Sequence, residues 1–201
     1  MNTSEQGQDI ALVDLLADIR ACRHCEQDLP LGPNPVVRAA PTARLLIVGQ
    51  APGTRVHETG IPWNDPSGER LRHWLALDAA QFYDEAQIAI VPMGFCYPGK
   101  GKSGDLPPAP DCAPLWHERL LARMPAIELV LLVGSYAQAQ YLGKSRETLT
   151  ARVQRWRDFG PRFLPLPHPS PRNTLWLRRN PWFEDEVVPA LRQRVSALLE
   201  D

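Results

Sequence analysis

The sequence predicts an α/β protein: three layers, α/β/α, around a central, mostly parallel four-stranded sheet. Two observations predict it. Short apolar runs of buried-strand type alternate with segments of helical periodicity along all 201 residues. The glycine, proline and unusual polar residues gather directly after the first, second and fourth strands, and ligands of such sheets bind beyond the carboxyl ends of the strands.

The elements follow in chain order. Residues 9–22 (DIALVDLLADIRAC) place Ile10, Val13, Leu16 and Ala17 on one helical face, and residues 28–43 form a proline-rich loop. Arg44–Gly49 (RLLIVG) is the first strand. The loop that follows, to Gly68, is too rich in glycine and proline to be regular. Ser67 then caps a helix carrying Arg70, Leu71, Trp74 and Leu75. Gln87–Pro92 is the second strand, opening into a second Gly/Pro loop, with a helix over Ala113–Met124. Glu128–Gly134 is the third strand, Ser135–Leu142 a helix, Arg162–Pro167 the fourth strand, HPSPRNTLW a third loop, and Val187–Leu199 the closing helix. No linker or repeat divides the chain, so residues 1–201 are expected to form one domain, in which residues 1–43 supply an N-terminal helix and loop.

Composition narrows the function. Lys and Arg total 22 against 23 Asp and Glu, a formal charge of −1 that excludes a basic coat protein for nucleic acid and an acidic disordered tail. The 21 prolines, about twice the usual share, cluster in loops and point to rigid, shaped connections. No apolar run reaches membrane-span length, and the N-terminus MNTSEQGQDI lacks a signal-peptide core, so a cytoplasmic location is expected. In that compartment the four cysteines read as ligands, catalytic groups or plain thiols before disulfides.

Three loops carry chemistry. The first begins Gly49-Gln50-Ala51-Pro52-Gly53, where glycines after a buried strand let backbone approach a ligand; it is neither a P-loop nor a dinucleotide fingerprint. It continues Gly60-Ile61-Pro62-Trp63-Asn64-Asp65. Trp63 offers a flat stacking surface or plugs the core; Asp65 acts as general base or electrostatic stabiliser, or caps the next helix. In His168-Pro169-Ser170-Pro171-Arg172-Asn173, two prolines hold His168 at a strand end, where an imidazole donates to an oxyanion or carbonyl, and Arg172 can touch phosphate. Cys22 and Cys25 form a C-x2-C pair, with Cys96 and Cys112 further on. Four thiolates can hold a [4Fe–4S] cluster, with tetrahedral zinc as the competing occupant and four unrelated thiols as the remaining alternative.

Together these motifs resemble the uracil-DNA glycosylase superfamily, whose first motif is a loop of type G-[EQ]-x-P-G and whose second is His-Pro-Ser. The resemblance runs in family order from Cys22 to the last helix and is closest to the iron–sulfur branch (families four and five). There the glycine loop is followed after six residues by G-x-P-F, as Gly60-Ile61-Pro62-Trp63 follows here. It implies a uracil-DNA glycosylase-like fold and a monofunctional glycosylase of base excision repair that removes uracil or a related deaminated base from DNA as a monomer. It further implies that Trp63 stacks on the extruded base, that His168 stabilises the departing base, and that Gln50 and the amide of Ala51 contact the base. Ser170, Pro171, Arg172 and Asn173 would meet the DNA strand, and Cys22, Cys25, Cys96 and Cys112 would ligate a [4Fe–4S] cluster of structural role.

Two departures stand out. Where the best-known branch has a water-activating Asp, this chain has Ala51; Asp65 is the expected replacement. Four residues before Cys96, where the iron–sulfur branch reads the base with Asn, stands Pro92, leaving base reading to Asn64, Asn173 or backbone groups. These departures keep two alternatives open: a catalytically weak damage-sensing binder of the same fold, and a hydrolase of free nucleosides. Arg55, Lys100, Lys102, Arg172, Arg178 and Arg179 fall in or beside the loops and predict a basic DNA-facing side.

Overall fold

The structure is a computed structural model that describes residues 3–200, with side chains from Leu12 onward. Four short strands, β1 (Leu45–Val48), β2 (Ile88–Ile90), β5 (Leu129–Val133) and β6 (Phe163–Leu166), make an all-parallel sheet of order β2-β1-β5-β6. Nearly every strand residue is buried, because parallel strands carry helices on both faces. Side-chain alternation divides the core in two. Leu45, Ile47, Leu131 and Val133 face one layer; Leu46, Val48, Val130 and Leu132 face the other. Pro165, which has no amide proton for a ladder, is tolerated because β6 is an edge strand.

The first layer holds α3 (Pro66–Leu75), α7 (Leu149–Gln154), α8 (Thr174–Arg179) and α9 (Val188–Glu200), with Trp74 packed edge-on against Phe183 at 4.9 Å. The second holds α1 (Thr3–Arg20), α5 (Cys112–Leu121) and α6 (Ser135–Leu142). Among the described residues, no helix is long and apolar enough to cross a membrane.

The four strands and α6 lie where the sequence predicts; several details differ. The buried stripe of α1 is Leu12, Leu15, Leu16 and Ile19, whereas Val13 and Ala17 face solvent. The stripe is therefore out of phase with the expected face, since contact with α5 and the sheet selects one of two nearly equivalent apolar edges. The side chain of Ile10 lies outside the described residues. The first Gly/Pro loop contains a helix, α2 (Thr54–Thr59), stopped by Gly60 at φ 67°. The second contains a two-stranded antiparallel hairpin, β3 (Lys100–Gly101) and β4 (Gly104–Asp105), and α4 (Ala79–Phe82) precedes β2. The N-cap of α3 is Asp65, whose Oδ1 accepts from the Gly68 amide at 2.8 Å; Ser67 lies inside the first turn. Pro66 at the first helical position shifts the start two residues upstream. The third loop turns into a 3₁₀ turn, Pro171–Asn173, and then α8.

One buried polar group links α5 to the sheet. His117 Nε2 donates to the Pro92 carbonyl at 2.9 Å, so its Nδ1 accepts from the Tyr141 hydroxyl, also at 2.9 Å, and the ring stacks on Phe95. Burial lowers the His117 pKa below its ordinary value, with the Pro92 bond opposing. The unfolded chain therefore binds a proton that the native state refuses as pH falls below about 6.5. Stability should decline from pH 7.5 to 5.5, read as a falling melting temperature. Thermal melts across that range should show a shallower slope for His117→Gln.

Candidate active site

Strand β1 sits between β2 and β5, so the chain leaves it in one direction and later returns on the other side. The loops at such a switch point diverge and leave a crevice. A cavity of about 520 Å³ occupies it, within the usual range for small-molecule and nucleobase-sized sites. The glycine turn after β1, Pro92 after β2 and the His168 loop after β6 all line it.

Trp63 forms one wall. Its φ is 56°, a left-handed conformation that a bulky residue holds only under constraint. The constraint is visible on both sides. A Cβ on Gly49 would stand 2.8 Å from the indole Cζ2, and a Cβ on Gly68 would stand 1.7 Å from the Trp63 carbonyl oxygen. Arg72 donates to that carbonyl at 3.3 Å, and the Tyr83 hydroxyl donates to the Pro62 carbonyl at 2.9 Å. The two readings of Trp63 and Asp65 thus merge: Trp63 packs against its own loop and still lines the cavity, and Asp65 caps α3 and still lines the cavity.

His168 forms the facing wall, its ring 5.7 Å from Trp63 between centroids, inclined at 36°. The Ser170 amide donates to Nδ1 at 3.2 Å. An amide can only donate, so Nδ1 is unprotonated and the neutral ring carries its hydrogen on Nε2. Burial lowers the His168 pKa, Asp65 acting in the opposite sense, so the ring is a neutral donor near pH 7. The loop is held from below: Arg70 of α3 donates to the Ser170 carbonyl at 2.9 Å and to the Thr174 hydroxyl at 3.2 Å, and Asn173 Nδ2 donates to the His168 carbonyl at 2.8 Å.

Of the residues singled out in the sequence, Gln50, Ala51, Trp63, Asp65, His168, Ser170, Arg172 and Asn173 line the cavity together. Asn64 and Pro171 do not: the Asn64 amide turns to the Thr59 hydroxyl at 3.4 Å, and Pro171 is exposed. The Gln50 amide is spoken for, donating to the Leu106 carbonyl at 3.0 Å. Arg172 reaches across the mouth to donate to the Ser103 carbonyl at 2.8 Å. Arg55, Lys100, Lys102, Arg178 and Arg179 are exposed. Sequence reasoning missed Asp105 and Ser103, which line the rim from the β3–β4 hairpin; Gly101 and Gly104 flanking a two-residue turn were the available signal.

The model of the Uracil DNA glycosylase superfamily matches residues 37–192. The chain belongs to the uracil-DNA glycosylase superfamily. The match spans all four strands and every cavity-lining residue except Val36. It takes in Cys96 and Cys112 and excludes Cys22 and Cys25.

The four cysteines nevertheless converge. All line a small apolar cavity between the turn after α1 and the start of α5, with Phe95, Leu29 and Trp116 among its walls. His24 Nε2 lies 3.1 Å from Asp111 Oδ2 and ties the two segments together. The Phe95 amide donates to Cys112 Sγ at 3.3 Å. Burial pushes the Cys96 thiol up to about 11 and the Cys112 thiol up to about 12, so any metal must displace their protons. Among the described residues, no three His, Cys, Asp or Glu side chains stand close enough to hold a single metal ion.

The pinch at Trp63 gives a direct test. Gly68→Ala inserts a methyl where a backbone carbonyl stands, and neither backbone segment can yield without moving the α3 cap. A loss of at least about 2 kcal/mol is expected from such overpacking, read from the urea midpoint.

Proposed function

We propose that this member of the superfamily is a monofunctional DNA glycosylase that hydrolyses the N-glycosidic bond of uracil or a related deaminated base and leaves an abasic site. The observation that carries the reading is the neutral imidazole of His168, which faces an indole across one cavity with its Nδ1 satisfied by the Ser170 amide. A base extruded from the duplex stacks on Trp63. As the glycosidic bond breaks, negative charge gathers on the base carbonyl and His168 Nε2–H donates to it; a neutral donor stabilises that charge without a proton transfer. Gln50 and Ala51 line the same pocket, where their backbone amides would contact the base. Asp65 has one carboxylate oxygen committed to its cap, and the other stabilises the cationic sugar.

Ser170, Pro171, Arg172 and Asn173 form the rigid lip that meets the DNA strand. Arg172 contributes its charge from a fixed position against the hairpin, and Lys100, Lys102, Arg178 and Arg179 extend the basic rim for phosphate contact.

The four thiols fit a [4Fe–4S] cluster better than a zinc ion. A single ion needs its ligands around one point, whereas each thiolate of a cubane cluster binds its own iron. An apolar lining and a backbone amide aimed at Cys112 Sγ suit thiolate ligands of this kind. Cys22, Cys25, Cys96 and Cys112 would hold the cluster, which supplies a covalent staple between the segment after α1 and the loop after β2 and takes no part in the hydrolysis.

Ala51 and Pro92 favour a second reading, a binder of damaged DNA with little turnover. Duplexes bearing uracil, hypoxanthine or xanthine, treated with alkali after incubation, separate the two. The glycosylase produces strand breaks, and His168→Ala lowers the rate on the order of 10²–10³-fold; salt-sensitive binding with no breaks identifies the binder. Anaerobically purified protein should contain iron and acid-labile sulfide in equal amounts, both lost in Cys96→Ser.

A further inference from the structure

This inference rests on the glycosylase reading above. A carboxylate speeds glycosidic hydrolysis by orienting and deprotonating the attacking water, and the first-motif turn offers only Ala51. Two carboxyl groups line the cavity, Asp65 and Asp105, and they are not equivalent. Asp65 accepts from the Gly68 amide and is thereby tied to the start of α3. The Asp105 carboxyl accepts no hydrogen bond from any described residue, and the charges of Arg172, Lys100 and Asp65 reach it without one.

Asp105 ends β4, and the chain on either side of it is held by a side chain from each motif. The Ser103 carbonyl, two residues before it, accepts from Arg172 at 2.8 Å, and the Leu106 carbonyl, one residue after it, accepts from the Gln50 amide at 3.0 Å. Gly104 permits the first of these: its φ is 146°, and a Cβ there would stand 2.6 Å from Arg172 Nη1. The hairpin is thus clamped between the two superfamily motifs. Asp105 Oδ2 leans over the glycine turn, 3.5 Å from where a Cβ of Gly53 would be. The floor of the cavity, with Gly49, Ile90 and Pro92, is buried, whereas Asp105 is exposed at the rim. A base fills the floor, and its sugar and the attacking water stand at the rim.

We propose that Asp105 is a catalytic residue of this protein, the carboxylate that orients the attacking water and takes its proton. The water oxygen bonds to C1′ as the C1′–N bond breaks. The electron pair of that bond leaves on the base, beside His168; the proton of the water passes to Asp105 and on to solvent, and the base anion recovers a proton from solvent. Partial desolvation on its cavity side raises the Asp105 pKa; Arg172 and Lys100 oppose the rise and Asp65 adds to it. A carboxylate so raised is a stronger base than an ordinary one.

Single-turnover excision from duplexes bearing uracil, hypoxanthine or xanthine, by the full-length wild type and Asp105→Asn, tests this alongside the affinity of each for the same duplexes. The near-isosteric amide keeps the hairpin and its clamps. The expected result is a fall in the excision rate on the order of 10²–10³-fold with duplex affinity and melting temperature unchanged. The acid limb of the wild-type rate profile, set by a carboxyl above its ordinary range, should vanish in the variant. A variant that excises at the wild-type rate, or whose loss lies wholly in affinity, overturns the role of Asp105 and leaves the glycosylase reading intact. A wild type that excises nothing from the panel overturns the glycosylase reading, and the role of Asp105 with it.

Discussion

Where α3 begins, the Trp63 carbonyl occupies the space that a side chain on residue 68 would need, and the indole covers the space that one on residue 49 would need. This double contact organises the site. It holds Trp63 at positive φ, a strain of order 1–3 kcal/mol, and Arg72 and Tyr83 oppose its release. It sets where α3 starts, so that Asp65 caps the helix while lining the cavity. The same helix then extends Arg70 to the Ser170 carbonyl, fixing the loop whose amide selects the His168 tautomer. Indole, carboxylate and imidazole are coupled through one ten-residue helix.

The electrostatics follow from burial more than from charge. The net charge of −1 gives the protein no general attraction for DNA. Within the cavity, desolvation is the largest influence on both His168 and Asp105, favouring the neutral imidazole and making the carboxyl more basic. On the proposed reading, those are the states that suit a leaving anion and an attacking water. The basic side chains sit outside, on the hairpin, on α8 and on the lip, where phosphates can reach them.

The architecture also explains why Pro92 is tolerated. Its carbonyl is engaged by His117, and the amides of Met93 and Gly94 pair with the carbonyls of Gly49 and Gln50. The loop after β2 is therefore zipped to the first-motif turn by backbone alone. That zipper continues to Phe95, whose amide reaches Cys112 Sγ, so the cysteine cavity and the candidate active site share a continuous backbone frame.

Much was legible from residue order. Four apolar runs marked the strands, and burial on both faces made each a continuous hydrophobic stretch that pattern alone reveals. The glycine-loop and His-Pro-Ser motifs located most of the cavity, since glycine and proline encode backbone geometry directly. What escaped depends on contacts between distant segments. The phase of α1 was decided by what it packs against, and the helix in the first loop and the hairpin in the second by tertiary support, because elements so short are not stable alone. Asn64 turned away because Trp63 takes a left-handed backbone that no local rule assigns to a tryptophan. Asp105 joined the site because Arg172 and Gln50, each far from it in the chain, grip its hairpin on both sides. Residue types and their spacing specified the groups available for chemistry; long-range packing, which no local pattern encodes, settled which of them meet.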